Sequence, residues 1–229
     1  MNEAEIALNV TIVGSAVLNK YGEISDESLE RSVRSIISRT RNGNEATIMA
    51  LLKPIESPAD DIHNQTVLLA LIDRVWSREA TLHNPLATLN RCLFGRRGDV
   101  LFRTVDYVED FGGPPPTPRE EIHSRLDELE RLSRSSVSAM ASSSPLEKAW
   151  ILAYIYSSLV RIHPFEDGNG RTGRFFVFYA LKCWNMPLFV IPKVRNDLEW
   201  KQSMDEAVQG DETRLAAQLF SRMDLHAAD

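Results

Sequence analysis

Cysteine is scarce in this 229-residue chain, with only Cys92 and Cys183. Both lie in apolar patterns without the paired spacing of a metal site. They read as buried free thiols in a reducing compartment, a disulfide being the alternative. Long hydrophobic runs are missing too: no stretch of about eighteen apolar residues occurs, so no membrane span is expected. There is no basic excess, the net charge being −6 with a pI near 5.5. That excludes nonspecific nucleic-acid binding as a main role, and Arg96-Arg97 and Arg39-Thr40-Arg41 read as solvated faces. The start, Met1-Asn-Glu-Ala-Glu-Ile6, lacks the basic region of a secretory signal. The expected setting is the cytoplasm, although a specialised export route would leave no such mark. His63, His83, His123 and His226 share no metal spacing and read as surface or capping residues, and internal repeats are absent.

What is present is ordinary for a globular protein, 43% hydrophobic and 25% charged residues. The length suits one large domain or a core with an appendage. Apolar periodicity predicts helices near 26–41, 60–79, 84–94, 118–138, 145–162, 170–184, 196–209 and 212–224. Ile6, Val10, Val13 and Val17 suggest an earlier helix, though Val10–Val13 also fits a strand. Thr117-Pro-Arg-Glu120 and Ser144-Pro-Leu-Glu147 have the form of capping boxes with proline at the first helical position. Gly112-Gly-Pro-Pro-Pro116 is a rigid connector, and Leu188–Pro192 an apolar turn or short strand.

The densest chemistry lies in His163-Pro-Phe-Glu-Asp-Gly-Asn-Gly-Arg-Thr-Gly-Arg174, between two apolar segments that read as buried helices. Gly168, Asn169 and Gly170 permit a backbone whose N–H groups converge on an anion, and the helix starting near Arg171 adds its positive end. Arg171 and Arg174 lie three apart, so both guanidinium forks can point to one side and suit polyphosphate oxygens. Asp167 is a hard oxygen ligand for Mg²⁺ bridging two phosphates. His163 is a proton acceptor near neutral pH. Singly each feature has a plainer explanation: a turn, a solvated arginine, a helix cap. Together in one loop they point to a site.

This run resembles the signature of Fic-domain proteins, His-Pro-Phe-x-(Asp/Glu)-Gly-Asn-(Gly/Lys)-Arg-x-x-Arg, with every defined position filled. The similarity extends to Arg103-Thr-Val-Asp-Tyr-Val108 with Phe111 and Pro114–Pro116, and to Glu199–Ala207 with Gly210-Asp211. The resemblance implies a mainly α fold, a Fic-type helical bundle with a short β-hairpin flap over the active site. It divides the chain into an amino-terminal helical region, 1–83, packed on a core domain, 84–229. It also implies transfer of AMP from ATP, with Mg²⁺, to a Tyr, Ser or Thr hydroxyl of a target protein. His163 would then be the base and Asp167 the Mg²⁺ ligand. Gly168, Asn169 and Gly170 would stabilise phosphate charge, while Arg171 and Arg174 would anchor the departing pyrophosphate. Phe165 reads as a core anchor. Glycine at 170, where phosphorylating members resemble one another in carrying lysine, favours monophosphate transfer; UMP or GMP transfer and a non-catalytic nucleotide-binding scaffold are the alternatives. Trp200 stands where family members place an aromatic near the base, or belongs to the core.

In the flap, Arg103, Thr104, Val105, Asp106 and Tyr107 could pair by main chain with an extended target segment, or merely cover the core. Many family members are similar in an inhibitory motif, (Ser/Thr)-x-x-x-Glu-(Gly/Asn), whose glutamate pairs with the arginine equivalent to Arg174. No intact copy occurs here. Ser38-Arg-Thr-Arg-Asn42-Gly43, ending an amphipathic helix over 26–42, fits except that Asn42 replaces the glutamate; it also fits a simple helix stop. Built-in inhibition is therefore expected to be weak or absent, with control by a separate inhibitory partner, by assembly, or by neither.

Overall fold

Short polar side chains start the helices. Ser144 accepts from the Glu147 amide while Glu147 Oε2 accepts from the Ser144 amide at 2.8 Å, so the expected capping box forms, with Pro145 in the first turn. Ser57, Asn44 and Asp197 cap three further helices in the same sense, each side chain accepting from a backbone N–H of the first turn. The Thr117 box does not form. The Thr117 N–H donates to the Arg161 carbonyl at 3.4 Å, and residues 119–121 wind into a tighter 3₁₀ turn, leaving the next helix without a side-chain cap.

The computed structural model describes residues 6–14, 26–77, 82–96, 102–106, 117–192 and 197–225. Within them α1 runs through 6–14 and α2 spans Asp26–Thr40. Next come α3, Glu45–Met49, and α4, Pro58–Leu71, which continues into a π turn, Ile72–Trp76. Then follow α5, Pro85–Leu93; α6, Ile122–Ala139; α7, Pro145–Ile162; and α8, Asn169–Cys183. The last two are α9, Leu198–Val208, and α10, Thr213–Leu225. The fold is mainly α, as expected, and Leu188–Pro192 forms no strand.

Helix α7 is the hub, packing on α6, α8, α9 and α10. Helix α8 is buried over nearly its whole length, with α7 on one side and α5 and the π turn on others. The amino-terminal helices join through α4, which contacts α2, α3 and α5. One apolar cluster, from Ile12 to Met223, crosses residue 83 without a break. Both thiols are free; Cys92 is buried and its pKa is pushed up to about 12 by burial, which keeps it an unreactive thiol. Among the described residues no helix is long and apolar enough to cross a membrane.

The expected hairpin is not seen within 102–106, where the strand pairing is a single antiparallel bridge, Phe102 to Phe165. Tyr107, Val108, Phe111 and Pro114–Pro116 lie outside the described residues. The flap therefore begins by pairing with the loop it was expected to cover.

Candidate active site

The loop after α7 is held by its own backbone. His163 takes a left-handed conformation (φ 48°, ψ 54°) that ends α7, and its N–H donates to the Leu159 carbonyl at 2.9 Å. Phe165 follows at 0% exposure, the core anchor. Asn169 folds back on it: Oδ1 accepts from the Phe165 N–H at 3.0 Å, and Nδ2 donates to the Phe165 carbonyl at 2.9 Å. The asparagine expected at the phosphates is thus the buried clasp of the loop. Gly168 precedes the helix with φ 84°, and a Cβ there would lie 2.7 Å from Phe94. Helix α8 then starts at Asn169, its first N–H groups unpaired within the helix and carrying the positive end of its dipole. Gly170 is exposed, with nothing within 4 Å of where a Cβ would stand, so a ligand can approach the backbone closely.

Four charged or titratable groups surround this helix start. His163 is half-buried, and its pKa lies below the ordinary 6.5, chiefly through desolvation. A hydrogen bond to the Val160 backbone works the other way. Asp167 stays 56% exposed at the side chain while Oδ1 accepts from Gly168 N–H at 2.6 Å and Oδ2 from Arg171 Nη2 at 2.9 Å. Arg171 is buried and doubly engaged, its Nη1 donating to Asp61 Oδ2 at 2.8 Å, with Phe94 stacked 4.9 Å from its guanidinium. Arg174, one turn on, is only 7% exposed, yet no carboxylate or carbonyl accepts from it among the described residues. Burial pushes its pKa down, but an arginine remains charged, so this cation sits in a low-dielectric site with no hydrogen-bonded carboxylate among the described residues, Asp61 acting on it only through space.

Among the described residues no three or more His, Cys, Asp or Glu side chains gather into a metal cage. Asp167 offers one partly exposed carboxylate beside an anion-friendly helix start. That suits an ion which keeps waters and shares phosphate oxygens, as Mg²⁺ does.

The flap residues divide into two kinds. Arg103 is buried: Nε donates to the His163 carbonyl at 2.8 Å, Nη1 to the Val105 carbonyl at 2.9 Å, and Nη2 to the Thr117 carbonyl. It is a clamp between flap and loop. Thr104, Val105 and Asp106 are exposed, Val105 at 62%; Tyr107 is not described. Ser38 and Asn42 are both exposed, and neither bonds to Arg174. Trp200 is fully buried against Tyr156, 6.4 Å between ring centroids, and is core.

Several residues of the site escape a reading of the sequence. Asp61 follows Asp60 at the start of α4 and looks like a first-turn acid. Asn90, midway along α5, donates to the Asp167 carbonyl and to Thr172 Oγ1, both at 3.1 Å. Tyr156 donates to the Gly170 carbonyl at 3.2 Å and packs against Gly173, where a Cβ would meet its ring at 2.3 Å. The available signal was faint: a polar residue amid apolar helix positions.

Residues 81–181 match the family model described as the Fic/DOC family. The protein adenylyltransferase fic-1 of Caenorhabditis briggsae is 33% identical over 108 residues, which is 47% of this chain and 20% of that protein. The chain thus spans about a fifth of the length of this curated relative. A Fic domain containing signaling protein from Bacteroides thetaiotaomicron superposes with a TM-score of 0.68 at 16% identity, over 98% of this chain and 86% of that one. Fic-1 from C. elegans gives 0.63 at 18% identity over 98% and 62%. BepC, a VirB-translocated effector of Bartonella tribocorum solved with bound AMPPNP, gives 0.52 at 17% identity over 73% and 88%. The matched segment runs from just before α5 through the His163–Arg174 loop and most of α8, and over that segment the chain is similar to the Fic/DOC family.

Proposed function

We propose that this protein transfers AMP from ATP to a Tyr, Ser or Thr hydroxyl of a target protein, releasing pyrophosphate. The observation that carries the reading is Arg174: a buried guanidinium with no hydrogen-bonded carboxylate among the described residues, one turn inside a helix whose open N-terminus faces the same loop. Such a cation favours a bound anion of high charge, and a polyphosphate supplies it. Neutral His163 accepts the hydroxyl proton while the hydroxyl oxygen attacks the α-phosphorus. The bond from that phosphorus to the bridging oxygen breaks, and the electron pair leaves with pyrophosphate. The amides from Gly168 to Gly170 stabilise charge on the α-phosphate oxygens, and Arg174 holds the leaving end. Asp167 would hold Mg²⁺, which when bound neutralises phosphate charge. The adenylyltransferase relative supports this chemistry, and the reducing compartment implied by two free thiols favours the cytoplasm.

Intact mass measurement after incubation with Mg²⁺ and ATP, UTP, GTP or CTP tests the proposal. A single adenylate adduct is expected, and the base preference follows from which nucleotide leaves its mass. His163→Ala should lower the rate by about 10²–10⁴-fold, the usual loss of a general base. Because its pKa is depressed, the acidic limb of the wild-type rate should lie below pH 6.5, with a plateau above. Retained labelling in His163→Ala would remove the base from this assignment.

We also infer that residues 26–42 exert no strong restraint, since Asn42 is exposed and offers Arg174 no charge. Control then rests with a separate inhibitory protein or with assembly. The isolated chain should modify itself without an activator, and a several-fold rate increase in Asn42→Ala would contradict this.

A further inference from the structure

Arg171 lies nearer the start of α8 than Arg174 does, yet its hydrogen bonds run away from a phosphate site. Its two terminal nitrogens are spent on Asp61 Oδ2 at 2.8 Å and Asp167 Oδ2 at 2.9 Å, and Phe94 covers one face. Asp61 comes from α4, 110 positions earlier in the chain and outside the segment that matches the family. At 1% exposure it is among the most buried charged groups in the molecule. A buried ion pair of this sort is poor evidence for stability, because well-packed apolar residues of similar volume commonly serve as well or better. What the pair does is set a geometry. A guanidinium gripped on one nitrogen and stacked on a ring has one orientation, and its other nitrogen then places the Asp167 carboxylate.

We propose that Asp61 is a positioning residue for the divalent-cation ligand Asp167, acting through Arg171; this rests on the reading of Asp167 as that ligand. The charges support it as well as the geometry. Arg171 with Asp167 alone would be a neutral pair with little pull on a cation. The second carboxylate offsets the guanidinium, so the triad carries one net negative charge where a divalent ion would sit. Asn90 holds the Asp167 backbone from α5, so main chain and side chain are both fixed by helices outside the loop. The two loop arginines therefore separate in role: Arg171 organises the carboxylate, and Arg174 is left to receive the anion.

The test uses the full chain, Mn²⁺ and a non-hydrolysable ATP analogue, with binding measured by calorimetry in Mn²⁺ and again in EDTA, and Tm recorded for each variant. Asp61→Asn keeps shape and loses charge. It should weaken Mn²⁺-dependent binding about tenfold, the scale of losing a group that orients a metal ligand, and leave binding in EDTA unchanged. Asp61→Leu combined with Arg171→Met guards against a folding failure. Its Tm should equal or exceed that of wild type while Mn²⁺-dependent binding stays at least about tenfold weaker. Cation binding within twofold of wild type in either variant would overturn the proposal and leave the pair purely structural. If wild type shows no Mn²⁺-dependent binding that Asp167→Asn abolishes, the ligand assignment of Asp167 itself falls.

Discussion

Glycines 168 and 170 differ in what surrounds them, and that separates folding from chemistry in one loop. Gly168 has a positive φ, and any Cβ would press on Phe94, the ring that also covers Arg171. Gly168→Ala should cost about 1–3 kcal/mol of stability from the left-handed backbone and the contact combined, seen as a lower urea midpoint. Gly170 lies in the first turn of α8 with open space before it. Gly170→Ala should leave the midpoint unchanged or raise it slightly, since alanine favours a helix by up to about 1 kcal/mol. Its transfer activity should nevertheless fall by about 10²-fold, because the methyl group occupies the approach to the amides. Equal loss of stability in both variants would contradict the division. His163 shows a similar tension, a non-glycine residue kept in the left-handed region where a glycine would be at ease, as befits a side chain retained for its chemistry.

At the scale of elements, local signals predicted helix starts only where no distant group competed. Ser144 formed its box because its neighbours are solvent; Thr117 did not, because its N–H, which Glu120 would have accepted from, donates instead to the Arg161 carbonyl at 3.4 Å. The π turn after α4 gave no warning, since one extra residue per turn leaves an apolar run looking helical. Helix α5, which carries Asn90 and Phe94 to the loop, starts on another helix: Glu130 of α6 accepts from the Leu86 and Ala87 amides at 3.1 and 2.7 Å. Desolvation raises the Glu130 pKa to about 7, outweighing those amides. With the folded value above the ordinary 4.5, the folded state binds the extra proton between pH 4.5 and 7. Stability from this group is therefore full below 4.5 and lost as pH rises through 7. Replacing it with glutamine removes the titration. Relative to Glu130→Gln, the wild type should lose on the order of 1–3 kcal/mol between pH 5 and 8. Parallel stability curves for the two proteins would refute this.

The described residues share one apolar cluster, and the active loop draws on both ends of it. Helix α4 belongs to the amino-terminal region but packs on α5, its π turn packs on α8, and Asp61 reaches Arg171. A fragment starting at residue 82 would expose the apolar faces of α5 and α8 and leave Arg171 short of a buried partner. It should lose cooperative thermal unfolding and bind a hydrophobic dye, although it keeps all but the first residue of the family segment. A sharp transition near the wild-type Tm would show that the core folds by itself.

Read by itself, the amino-acid sequence determined the longer helices and the identity of the loop, while the short α3, Glu45–Met49, was not foreseen. Both are local: periodicity needs a dozen neighbours, and the signature from His163 to Arg174 is one unbroken stretch. It also determined that position 42 carries no charge. Only the tertiary structure decided which of those groups remain available. Arg171 is taken by Asp61, Arg103 by three carbonyls, and Asn169 by Phe165, while Arg174 is buried and has no hydrogen-bond partner among the described residues. Burial and pairing are set by residues far away in the chain, and they decide whether an arginine is a clamp or a receptor.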